Sequence, residues 1–284
     1  MEIVKDITLG VIQGVTEWLP VSSTAHLKIV PSLLGWNDPG AAATAVMQLG
    51  TMAAVLAYFY RDIARTLTGM VRSFGANGDK NSPEARLGLA VLLGTIPICI
   101  VGLALKKYIE GPLRNNVVIG TTLIVMGLAL FIVERVTKKT RPLSDITVRD
   151  GLIVGAAQCL ALVPGASRSG STLIGAFSTG LSREAALRFS FLLSIPAVLL
   201  SGLLELKDVI KPKPLPLDAP PTMGLGTADI ALATVVALVV GYVTIAWLLK
   251  YLSKHSTAVF VVWRVVVGAL LLYLATTNPV RFGH

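Results

Sequence analysis

The chain has 284 residues, 54% hydrophobic and 14% charged, with a formal net charge of +9. Soluble domains carry about 25% charged residues, so this balance excludes an ordinary water-soluble protein and leaves no room for a large soluble domain. The Lys and Arg residues cluster between apolar stretches. Membrane topology and anionic headgroups are their simplest cause, and no aromatic-basic interleaving suits nucleic acid.

In chain order, apolar segments cover about 7–30, 41–60, 87–105, 117–134, 150–180, 186–206, 228–250 and 258–277. A helix crosses the hydrocarbon with about 20 such residues. The N-terminus carries Glu2 and Asp6 and lacks a basic n-region, which predicts no removable signal peptide. Residues 61–86 read as a basic loop with Arg61, Arg65, Arg72, Lys80 and Arg86. Residues 135–149 form a second, with Arg135, Lys138, Lys139, Arg141 and Arg149. Pro212, Pro214, Pro216, Pro220 and Pro221 make 207–227 a connection that no helix can continue through. Ser82-Pro-Glu84 and Ser182-Arg-Glu184 read as helix starts, Ser as N-cap and Glu in the first turn. Cys99 and Cys159 lie in apolar stretches and read as ordinary buried thiols.

Two apolar segments differ from the rest. One runs Gln13-Gly-Val-Thr-Glu17-Trp-Leu-Pro20-Val-Ser22-Ser23-Thr24-Ala-His26; the other runs from Gln158 through Pro164-Gly165-Ala-Ser167-Arg168-Ser169-Gly-Ser-Thr172. Each is an apolar helix broken by Pro and followed by a hydroxyl-rich run. Irregular backbone survives at membrane depth only inside protein or beside a watery cavity, so both read as re-entrant helical hairpins. At an offset of 144, Asp6 matches Asp150, Pro20 matches Pro164 and Ser23 matches Ser167. The fold expected is therefore a single all-α integral membrane domain over 1–284. It would comprise inverted-topology repeats, about 1–140 and 145–284, with six full spans and two re-entrant hairpins meeting mid-membrane. Of the 25 Lys and Arg, 14 fall on the side of 61–86, 135–149, 250–257 and the residues near 183–188, against 9 on the other. That bias puts both termini outside the cytoplasm.

An ionisable residue inside a membrane segment costs a few kcal/mol at least, roughly 2.5 or more, and is a functional candidate by default. Glu17, His26, Arg168 and Arg264 qualify. Gln13 and Glu17 share a helix face at i, i+4; they suit either a divalent cation with oxygen ligands or a helix-gluing hydrogen bond. His26 follows Ser23 by three, within reach of a Ser–His pair. Ser22, Ser23 or Thr24 would cap the next helix. After the Pro164-Gly165 break, Ser167, Arg168, Ser169 and Thr172 open a helix whose N-terminus suits an anion, and Arg168 adds a bidentate fork for phosphate. The plainer alternative is a structural Arg168–Glu17 ion pair. Gln48 and Arg264 either reach this pocket or bond helix to helix. Trp18, Trp36, Trp247 and Trp263 need no role beyond the membrane interface.

These residues resemble a known family. Gln13-x-x-x-Glu17 looks like the (Glu/Gln)-x-x-x-Glu motif of the undecaprenyl-diphosphate phosphatases of the bacitracin-resistance type. Pro164-Gly-Ala-Ser167-Arg168-Ser169-Gly-Ser-Thr172 is similar to that family's Pro-Gly-x-Ser-Arg-Ser-x-x-Thr motif, and Leu19 to His26 is also similar. The resemblance implies a bacterial inner-membrane enzyme with its pocket open to the periplasmic or extracellular side. It would hydrolyse undecaprenyl diphosphate to undecaprenyl phosphate, recycling the lipid carrier for cell-wall glycans, with a divalent cation (Mg2+ or Ca2+). Residue by residue, Glu17, with Gln13, would bind metal or move a proton. Ser23 or His26 would attack phosphorus, with Ser23 activated by His26 the favoured form. Arg168, with Ser167, Ser169, Thr172 and Gly165, would hold the diphosphate, and Ser22, Thr24, Gln48 and Arg264 would line its site. A homodimer is compatible with this reading. The competing class is a phosphorylated-lipid transporter or flippase, because inverted repeats with broken helices are its architectural mark.

Overall fold

The computed structural model describes residues 2–36, 38–75, 78–79, 81–110, 113, 115–210 and 226–278. The expected proline-rich connection, Pro212 to Pro221, lies outside the described residues. All the regular elements described are helices: α1 (Glu2–Thr16), α2 (Ser23–Leu34), α3 (Gly40–Tyr58), α4 (Tyr60–Ser73), α5 (Pro83–Glu110) and α6 (Asn116–Val136), followed by α7 (Val148–Gln158), α8 (Arg168–Ser178), α9 (Arg183–Ile210), α10 (Thr227–Leu252) and α11 (Ala258–Thr277).

Among the described residues, five helices are long and apolar enough to cross a membrane: α5, α6, α9, α10 and α11. The α3–α4 pair, bent by 75°, makes a sixth if it counts as one span. Large apolar side chains such as Val239, Val243, Val262 and Val266 point out of the protein, 57% to 63% exposed. In water such a surface would be an association hazard; in lipid it is the solvated face. The chain is thus a multi-pass membrane protein.

Local sequence sets the helix boundaries. Ser82 and Ser182 accept from the amides of Ala85 and Ala185, as their spacing predicts. Asn115 caps α6, and Thr147 with Asp150 forms a capping box on α7. The basic 61–86 stretch is not the loop expected, since α4 occupies its first half. Its arginines mask an amphipathic helix.

Close packing relies on missing side chains. α1 crosses α10 at Gly10 and Gly14, α5 crosses α7 at Gly94, Gly151 and Gly155, and α6 crosses α11 at Gly120 and Gly268. A methyl group at Gly151 would meet the Ala90 backbone. Small residues let membrane helices approach until backbones touch, which is how they associate where lipid supplies no hydrophobic drive.

The basic end of the molecule is laced by buried acids. Glu134 on α6 accepts from Arg183 at the start of α9 and from the Thr257 amide at 2.9 Å, just before α11. Asp150 takes a bidentate bond from Arg141, at 3.0 and 2.8 Å. Above these clasps lies an aromatic core in which Trp18 meets Phe191 edge-on at 4.9 Å. Trp18 is 1% exposed, so it is a core residue and not the interfacial aromatic expected.

Candidate active site

Proline ends the helical run of α1, since it offers no N–H. The chain turns through Leu19, Pro20 and Val21 and re-enters helix at Ser23. The second break runs from the 3-10 turn Cys159–Leu162 through Pro164-Gly165 to Arg168. Both helices that follow are capped by a serine in left-handed backbone: Ser22 (φ 74°) and Ser167 (φ 69°). Among the described residues these are the two non-glycine positions with positive φ. Each such position costs about 1–3 kcal/mol and persists only when its surroundings enforce it. The matched caps are Ser22 and Ser167, one residue away from the Ser23–Ser167 match expected by sequence.

One buried cation enforces both turns. Arg264, 0% exposed, donates to Pro20 O (3.0 Å) in the first break and to Gly165 O (3.1 Å) and Ala166 O (2.9 Å) in the second. Its Nε bonds Leu123 O at 3.0 Å on α6. A carbonyl cradle therefore replaces a carboxylate partner. Ser169 Oγ adds a direct tie between the breaks, donating to Leu19 O at 3.0 Å.

Glu17 is the centre of what the breaks enclose. Its carboxylate, 6% exposed, accepts from Gln13 Nε2 at 2.9 Å, from Ser23 Oγ at 2.6 Å and from the Arg168 guanidinium. The Arg168–Glu17 ion pair is thus formed in this state. Charge-assisted bonds of this kind are about twice as strong as neutral ones.

His26 is not the partner of Ser23. Its Nδ1 bonds Ser22 O at 2.8 Å, and its Nε2 faces the Trp263 indole N–H at 2.8 Å. An indole nitrogen can only donate, so Nε2 accepts, Nδ1 carries the proton and the ring is neutral. The i+3 spacing gives reach, but both ring nitrogens are taken by Ser22 O and Trp263, and the Ser23 hydroxyl donates to Glu17. The expected Ser23–His26 pair is thus not formed in this state. The structure also adds Trp263, which no motif or spacing marks.

A pocket of about 320 Å³ opens beside Glu17. Of the expected site residues, Glu17, Ser22, Ser23, Thr24, Gln48, Gly165, Ser167 and Arg168 line it. Gln13, His26, Ser169, Thr172 and Arg264 stand behind that wall. Thr172 is held by Ser190 at 2.6 Å and by its own helix, and Arg264 is spent on carbonyls. The opposite wall is apolar, with Ile98, Leu103, Ala197, Leu200 and Leu204, and includes the free thiol Cys99. It comes from α5 and α9 just beyond Pro97 and Pro196, which lie inside those two helices.

Fold and site together define a class: a multi-pass helical membrane protein with an ionisable pocket built where two broken helices meet. A family model described as bacitracin resistance protein BacA matches residues 6–270, and the chain belongs to that family. It is similar to an undecaprenyl-diphosphatase of Myxococcus xanthus (strain DK1622), at 48% identity over 278 residues, which covers 98% of this chain and 91% of that one. It is likewise similar to an undecaprenyl-diphosphatase of Gloeobacter violaceus, at 50% over 275 residues, 96% of this chain and 91% of the relative.

Proposed function

We propose that this protein hydrolyses undecaprenyl diphosphate to undecaprenyl phosphate and inorganic phosphate in the bacterial inner membrane, recycling the carrier lipid for cell-wall glycans. The observation that carries the reading is the convergence of a serine hydroxyl and a guanidinium on the one buried carboxylate of a pocket whose far wall is apolar. The names of the relatives supply the substrate. The pocket suits the diphosphate and the first prenyl units. Leu103, Leu200 and Leu204, 46% to 67% exposed, let the rest of the tail stay in lipid.

In the proposed reaction Ser23 Oγ attacks the terminal phosphorus while its proton passes to Glu17. The bond to the bridging oxygen breaks, and undecaprenyl phosphate leaves with the electron pair and takes that proton. Water then attacks the phosphoserine and gives a proton to Glu17, which returns it to Ser23 as phosphate departs. Arg168 holds the charge that develops on the phosphoryl oxygens. His26 and Trp263 fix the turn that presents Ser23.

A divalent cation (Mg2+ or Ca2+) fits this site only in company with substrate. Among the described residues no cluster of three or more His, Cys, Asp or Glu could hold one. Gln13 Oε1, however, is buried with no hydrogen-bond partner, and Mg2+ commonly takes one carboxylate plus substrate phosphates. Glu17 and Gln13 would hold it, and it would neutralise charge on the transferred group.

The architecture proposed is an inverted repeat whose two hairpins, α1–α2 and α7–α8, are re-entrant from opposite faces. Reciprocal packing supports it: α1 lies on α10 of the other half, and α7 lies on α5. The pocket would open to the outer face, with both termini outside. The carrier alternative has only the architecture behind it.

The test is phosphate release from C15 and C55 prenyl diphosphates by purified protein, with and without EDTA, beside Arg168→Ala. Release that EDTA stops and the variant lacks is expected. No release from folded wild type under several cations would refute the reading.

A further inference from the structure

By length, α3 comes close to a crossing by itself. Its 19 residues rise about 28 Å at 1.5 Å each, against a hydrocarbon core of about 30 Å. α4 leaves α3 at 75°. A helix so inclined to a spanning helix lies close to the membrane plane.

At 3.6 residues per turn, the surface of α4 divides into three stripes. Asp62, Ile63, Met70 and Ser73 face protein: Ser73 is buried, and Asp62 pairs with Arg188 at 3.3 Å. Tyr60, Leu67 and Val71, continued by Phe74 just past the helix, form a second stripe that is 52% to 70% exposed. Arg61, Arg65, Thr68 and Arg72 form a third, also exposed. Among the described residues no carboxylate pairs with Arg65 or Arg72. A continuous apolar stripe beside unpaired cations is the pattern of a helix half sunk in a bilayer surface. Guanidinium forks match phosphate geometry.

We propose that α4 is an interfacial helix that binds anionic phospholipid. Its apolar stripe sits at the acyl boundary, and Arg61, Arg65 and Arg72 lie on headgroup phosphates. The inference stands apart from the phosphatase reading, because none of these side chains lines the pocket beside Glu17.

The experiment uses the full chain in nanodiscs of phosphatidylcholine, alone or with phosphatidylglycerol. Spin labels go on Leu67→Cys and, separately, Arg65→Cys, in a Cys99→Ser/Cys159→Ser background. Oxygen should relax the label at 67 more than a nickel chelate does, and the chelate should win at 65. In wild-type cysteine background, Arg61→Gln/Arg65→Gln/Arg72→Gln should retain at least about tenfold less phosphatidylglycerol through delipidation, since each surface cation contributes roughly a fivefold preference. Its phosphate release in detergent should equal wild type. Strong nickel access at 67 would mean the stripe faces water. Low access to both reagents would mean a second copy covers it. Either result, or unchanged lipid retention, overturns the proposal.

Discussion

Glu17 takes three donors on two oxygens, and each donor makes a different demand on it. In the proposed reaction Ser23 needs a proton acceptor, whereas Arg168 needs a counter-ion and Gln13 only an acceptor. With substrate labelled at the terminal phosphate, wild type quenched in acid should carry label on Ser23. Ser23→Ala should carry none, lose turnover to background and still bind the lipid; a variant that keeps full turnover would assign the attack to water. Trp263→Phe isolates the histidine. It keeps the ring and removes the donor to Nε2, leaving an acceptor unmet at a cost of about 1–2 kcal/mol. Turnover should fall about tenfold with little change in KM, and nitrogen NMR of His26 should show the neutral Nδ1–H tautomer losing its dominance. A purely packing role for Trp263 would leave the tautomer unmoved. Glu17 and Arg168 stand out in sequence because charges in an apolar run are too costly to keep without a use, and Ser23 because it lies in a hydroxyl run after the Pro20 break. Trp263 is not, because a tryptophan near the end of a membrane helix already has a place at the interface.

Helices α2 and α8 depend on turns that their own residues disfavour, and the compensation comes from α11. Arg264→Met should release four backbone carbonyls at once. Each unmet polar group costs about 1–3 kcal/mol, so the loss should reach about 3 kcal/mol or more, read as a large fall in melting temperature in detergent. Arg264→Lys, with fewer and less divergent donors, should recover only part of it. Pro20 and Pro164-Gly165 locate both breaks from sequence alone, since proline's missing N–H is local. Whether Arg264 faces substrate or backbone stays open at that level, because an isolated arginine carries no record of distant carbonyls. α4 escapes a sequence reading for a related reason: its charge density reads as a connection until its exposed apolar stripe is seen in three dimensions.

For the molecule as a whole, the clasps of Glu134 and Arg141 lie at the end richest in Lys and Arg, and the positive-inside rule would put that end in the cytoplasm. Single cysteines introduced at Thr140 and at Asp38, in a chain without Cys99 and Cys159, test this. In intact cells a membrane-impermeant maleimide should label position 38 and spare position 140, and the reverse pattern would invert the topology. The run of apolar segments yields the count of crossings to within the ambiguous α3–α4 pair. It does not yield the packing, which rests on glycines whose value appears only where two backbones touch.

The ion pair between Glu17 and Arg168 has a consequence for turnover under this mechanism. At rest the protein supplies its own anion to the group that must later receive the substrate's. An arriving phosphate has to exchange with a tethered carboxylate, a competitor whose effective concentration never falls. A ligand with two linked phosphates wins that exchange more readily than one with a single phosphate. The hydrolysed lipid and free phosphate, each reduced to one, are the species most easily displaced when Glu17 swings back. The resting contact thus works as a return spring, biasing the cycle toward product release without any moving lid.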